Sequence, residues 1–115
     1  MSLIALLLWL GLTIPSGLRA EARAIIQPEP IRAAQPGYAV VGSACSPRWG
    51  QDCPEDTATL TFDGDFPAFR CAAYHEALHL VIGPDTTADP FDGDAWWQEA
   101  RVYAETREAI GAECP

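Results

Sequence analysis

Apolar and polar positions alternate in several distinct rhythms along the chain, and each rhythm predicts a different element. Residues Leu3 to Ile14 are almost continuously apolar. A run of about 12 such residues matches the core of a signal peptide and is short for a membrane span. Pro15 and Gly17 break it, and Ala-x-Ala patterns follow at Ala20 to Ala22 and Ala22 to Ala24. Residues 1–24 therefore read as a signal peptide. Because the run is preceded by no Lys or Arg, an uncleaved membrane anchor is the alternative. Residues 25–37 include QPEPIRAAQPG, with prolines at 28, 30 and 36 and no apolar period, and read as an extended linker.

From Tyr38 the rhythm changes. YAVVG (38–42) is a short apolar run ending in Gly and suits a buried strand. SACSPRWGQDCPED (43–56) is turn-rich. TATLTF (57–62) alternates, with Ala58, Leu60 and Phe62 on one face and only threonine on the other; this predicts a half-buried edge strand. After a DGD turn, Pro67 to Ile82 reads as a helix. Its missing N–H makes proline harmless in a first turn, Asp65 can cap the start, and Gly83-Pro84 ends the helix. Residues 83–94 are too rich in Pro, Gly and Asp for regular structure. Ala95 to Ala112 predicts a second helix with Asp94 as a plausible cap. Short strands followed by two helices give an α+β class, with residues 38–115 as the single domain.

Composition narrows the function classes. The 115 residues carry 16 Asp and Glu against seven Arg and no Lys, a net charge of −9. Such a chain is a poor partner for nucleic acid or anionic membrane surfaces. The four cysteines, Cys45, Cys53, Cys71 and Cys114, all follow the N-terminal segment. An even count in a short exported chain reads as two disulfides. Three pairings are possible; Cys45–Cys53 with Cys71–Cys114 is preferred, since the first closes a short loop and the second ties the two predicted helices together. A chain of about 90 residues beyond the N-terminal segment has a marginal core, so disulfides and a metal are natural supplements.

The chemistry concentrates in AAYHEALHLVIG (72–83), which holds the only two histidines, four residues apart. On a helix, His75 and His79 lie one above the other, so both imidazoles reach a single zinc ion. Glu76 sits about 100° round the helix, beside the metal, where it can take a proton from an activated water and pass it to a leaving amine. A catalytic zinc ordinarily takes a third protein ligand. With no further histidine it must be a carboxylate: Asp85, Asp89, Asp92, Asp94, Glu99, Glu105, Glu108 or Glu113. In the second helix Trp96, Glu99, Tyr103, Thr106 and Ile110 form one stripe flanked by Val102, whereas Glu105 and Glu108 face away. A carboxylate on a core-facing row needs a partner, which selects Glu99.

HEALH, with Glu99 in WWQEARVYAE twenty residues beyond His79, resembles the gluzincin branch of the zincin metallopeptidases. The resemblance covers about residues 57–104. It implies a zincin-like domain, His75, His79 and Glu99 as zinc ligands, Glu76 as general base, and TATLTF as the edge strand that pairs with an extended peptide substrate. The chain departs from the pattern in several ways. It is far shorter than most gluzincins, Gln98 precedes Glu99 where the thermolysin-type signature has Asn, and no third histidine can stabilise an oxyanion. Tyr103, one turn beyond Glu99, is the catalytic candidate for that role; Tyr74 or an arginine is the alternative, as is a purely structural core tyrosine. Trp96 and Trp97 read as packing residues or cleft lining, and Arg101 and Arg107 as partners of nearby acids.

The expectation is thus a secreted or periplasmic zinc-dependent peptidase acting on a peptide or protein substrate, with membrane contact only through an uncleaved N-terminal segment. The rival expectation is a non-catalytic exported module, without metal or with zinc closed off by a further carboxylate such as Asp85 or Asp89.

Overall fold

The computed structural model describes residues 1–29, 33–35, 38–39, 42–84 and 93–115, and the side chains of these except at 33–35, 38–39 and 93–97. Three helices, α1 (Leu3–Trp9), α2 (Phe66–Ile82) and α3 (Gly93–Ala109), combine with β1 (Arg23–Gln27), β2 (Ala33–Gln35), β3 (Tyr38–Ala39), β4 (Gly42–Cys45) and β5 (Thr57–Thr61). A short 3₁₀ turn spans Pro47–Trp49. The mixed three-stranded sheet has the order β1-β5-β4, with β1 parallel and β4 antiparallel to β5; β2 and β3 form a separate antiparallel pair.

This order corrects the expectation for TATLTF. β5 is the central strand, paired from Thr57↔Arg23 to Thr61↔Gln27 on one side and from Thr57↔Cys45 to Leu60↔Gly42 on the other. The threonines lie between neighbouring strands, with Thr61 buried and its hydroxyl donating to the Glu29 carbonyl. Among the described residues the sheet edge beside α2 is β4, which starts at the last residue of YAVVG and runs into the stretch read as turn-rich. β1 likewise straddles the residues read as signal peptide and as linker, and the linker segment also holds β2.

The core gathers where α2 crosses the sheet. Leu60 and Ala58 of β5 and Ala24 of β1 meet Ala73, Ala77 and Leu80 of α2 in one buried cluster, which also takes Leu3, Leu6 and Leu7 of α1 and Val102 of α3. Each fully buried leucine contributes roughly 1.5–3 kcal/mol over an exposed one. The N-terminal apolar run is therefore packed in this structure: Leu10 and Leu12 continue the buried row, while Leu8 and Trp9 face outward. Among the described residues no helix is long and apolar enough to cross a membrane.

Two disulfides, Cys45–Cys53 and Cys71–Cys114, close the structure. The first pins the end of β4 and the second joins α2 to the chain beyond α3. They point to an oxidising environment. α2 starts where its local chemistry dictates, since the Asp65 carboxylate accepts the Ala68 N–H and a proline follows in the first turn. It stops at Gly83, whose φ of 144° suits glycine and whose N–H closes onto the His79 carbonyl. α3 begins at Gly93, so Asp94 lies within the helix instead of capping it.

Candidate metal centre

His75 and His79 project from one face of α2, as their spacing of four requires. Their Nε2 atoms stand 3.2 Å apart. Glu99 of α3 reaches both from the facing side, with Oε1 at 3.0 Å from His75 Nε2 and Oε2 at 3.0 Å from His79 Nε2. Two imidazole nitrogens and one carboxylate thus converge on a single point, and together they could hold a metal ion. Ligand atoms bound tetrahedrally at about 2.0–2.1 Å stand roughly 3.3 Å from one another, so side chains already this close fit a divalent ion with little adjustment.

The surroundings favour the same fit. His79 is almost fully buried, and its Nδ1 lies 2.8 Å from the Gly83 carbonyl oxygen. A carbonyl only accepts, so Nδ1 carries the proton and Nε2 is left to face His75 and Glu99. Tying the second ring nitrogen to a backbone carbonyl is the usual way a ligating histidine is oriented. In the metal-free protein, burial works to lower the pKa of His79. The Glu99 hydrogen bond, the Gly83 carbonyl and the charges of Glu76 and Glu99 outweigh it and raise the pKa from 6.5 to about 9. Two carboxylates round one buried ring favour positive charge there, whether proton or metal.

Glu76 is buried on the neighbouring flank, its Oε1 4.0 Å from His75 Nε2. It stands beside the three converging side chains, close enough to serve a molecule bound among them. Tyr103 stacks edge-on against His75 with ring centroids 4.6 Å apart and is 38 % exposed. That exposure corrects the alternative of a buried core tyrosine. Its stripe on α3 is also rotated from the expected one: Val102 and Thr106 are buried, and the Thr106 hydroxyl donates to the Val102 carbonyl.

An open cavity of about 490 Å³ runs along this group, lined by His75, Glu76, Glu99 and Tyr103 together with Gly42 of β4 and Ala68 and Ala72 of α2. Such a size suits a few residues of an extended chain or a small molecule. Glu113 also borders the cavity but stays outside the converging group. Of the other carboxylates considered, Glu105 pairs with Arg101 at 3.4 Å and Glu108 is exposed. Tyr74, the other tyrosine considered for the oxyanion, is buried and lines a different cavity. Asp85, Asp89 and Asp92, and the side chains of Asp94, Trp96 and Trp97, lie outside the described residues.

Sequence patterns missed three contributors. The Gly83 carbonyl was visible only as a helix stop. Gly42 was visible only as the end of an apolar run. Arg48 was hidden in a turn-rich stretch: its guanidinium bonds the buried Asp56 carboxylate at 2.7 Å and the Leu80 carbonyl of α2 at 2.9 Å, while Asp56 also accepts the Ser46 hydroxyl at 2.6 Å. That network holds the end of α2 that carries His79. No family model, curated protein or solved structure matches this chain.

Proposed function

We propose that the protein is an exported, zinc-dependent peptidase. The observation that carries the reading is the convergence of His75 Nε2, His79 Nε2 and the Glu99 carboxylate at 3.0–3.2 Å, with Glu76 beside them in an open cavity. Two imidazoles and a carboxylate are a ligand set that zinc takes in hydrolytic sites, and the gluzincin resemblance of HEALH with Glu99 points to the same metal. When bound, zinc supplies Lewis-acid activation of water and of a peptide carbonyl at neutral pH.

The chain's own residues do the rest. Glu76 accepts a proton from the attacking water and returns it to the leaving amine. His79, held by Gly83, keeps Nε2 directed inward. Tyr103, at the cavity wall beside His75, donates to the developing oxyanion in this reading. β4, an edge strand among the described residues, pairs with an extended peptide in this reading. The two disulfides support a secreted or periplasmic site of action.

Zinc stoichiometry and hydrolysis of a mixed peptide library, measured on wild type and Glu76→Gln, test this. The expected outcome is one zinc per chain in both proteins and loss of most turnover in the variant. Full-rate hydrolysis by Glu76→Gln, or no zinc in either, would overturn the proposal.

A further inference from the structure

Gly42 opens β4, and no left-handed backbone explains a glycine there; the reason is a neighbour. A Cβ built on Gly42 would lie 2.9 Å from Glu76 Cγ, 3.2 Å from Oε1 and 3.3 Å from Cδ. Non-bonded carbons rest about 3.5–4.0 Å apart, so even a methyl group does not fit. The crowded oxygen is the same Oε1 that faces His75 Nε2 at 4.0 Å.

Neither backbone can readily withdraw. β4 is paired along its length with β5, from Gly42↔Leu60 to Cys45↔Thr57, and its end is fixed by Cys45–Cys53. α2 is held by Ala73, Ala77 and Leu80 in the core and by Arg48 on the Leu80 carbonyl. A side chain at 42 must therefore be relieved by rotation of Glu76, which swings its carboxylate off its present line. We infer that Gly42 is a positioning residue: its bare Cα lets the edge strand close over Glu76 and fixes the carboxylate beside the three converging side chains.

The catalytic consequence rests on Glu76 acting as the base, but the contact itself does not, and the test separates the two. In the full chain with zinc added, Gly42→Ala should lower the Tm, whereas in a Glu76→Ala background the same change should leave Tm unchanged or raise it, since alanine is otherwise the better strand residue. Zinc content should stay at the wild-type value, because none of the three converging side chains is touched. kcat on a cleaved peptide should fall roughly a hundred-fold with KM little changed, the scale expected when a reacting group is displaced by about 1 Å.

An equal fall in Tm in both backgrounds, or wild-type kcat in Gly42→Ala, would overturn the inference. Should Gly42→Ala alone fail to fold, folding of the double variant supports it and failure of both overturns it. Should the wild type cleave no peptide, the Tm comparison still decides whether Gly42 sets the place of Glu76.

Discussion

Helices α2 and α3 each run for 17 residues, yet α2 buries nine side chains while α3, from Gln98 onward, buries only Val102 and Thr106. α2 packs on the sheet and carries both histidines and Glu76. α3 rests against α2 and brings one member of the cluster, Glu99. The difference separates rigidity from closure. Groups that must hold a fixed mutual geometry sit on the helix that the core already immobilises. α3, whose packing is thinner from Gln98 onward, completes the site from outside, and it is secured by contacts that are themselves chemical: a carboxylate between two imidazoles, and a disulfide just past its end.

The sharpest way to break that contrast is to cut the covalent tie. Replacing Cys71 and Cys114 by serine releases a 43-residue separation and should cost about 4 kcal/mol in urea unfolding, against about 2.5 kcal/mol for the eight-residue separation of Cys45 and Cys53. Amide exchange should then speed up in α3 more than in α2. Equal acceleration in both helices would mean that α3 is not the weaker partner.

Next in size is the electrostatic tie. His79 titrates near 9 in the metal-free fold against 6.5 unfolded. A raised folded-state value stabilises fully below pH 6.5, and that stability disappears as pH climbs through 9. The metal-free protein should therefore lose up to about 3 kcal/mol across that window. Glu99→Gln should flatten the profile, and in the same variant zinc affinity should fall roughly a hundred-fold, about 2.7 kcal/mol, by chelator competition. A pH profile unchanged by Glu99→Gln would show that α3 contributes no such tie.

Smaller effects probe α2. Arg48→Met leaves the buried Asp56 carboxylate with fewer partners and frees the Leu80 carbonyl. Chemical denaturation should register a loss of about 1–3 kcal/mol, accompanied by weaker zinc binding through His79. At the bottom of the scale, Arg101→Ala on the outer face of α3 removes an exposed pair with Glu105 and should change stability by less than about 0.5 kcal/mol.

Features set by local chemistry were the ones legible in the sequence. The ends of α2 lie within one residue of the expectation because Asp65, Pro67 and Gly83 act on their own neighbours. The convergence of His75, His79 and Glu99 followed from helical periods of four and of three and seven. Both disulfides joined the pairs that their loops and helices favoured. Strand neighbours were another matter. The all-threonine row of Thr57, Thr59 and Thr61 suggests an edge strand until β1 pairs with it from more than thirty residues away, and no local pattern announces that pairing. Gly42 and the Gly83 carbonyl were hidden for a different reason. A glycine's absent side chain and a backbone oxygen leave no chemical signature in a sequence, though both shape the site.

The hydrogen bond from His79 to Gly83 joins two properties that usually vary separately. The residue that ends the helix is also the one that sets the imidazole's tautomer, so the length of α2 and the direction of His79 Nε2 are inherited together. A side chain at Gly83, strained at that φ and crowded against Gln98, would move the end of α2 and the Nε2 that faces His75 and Glu99 together.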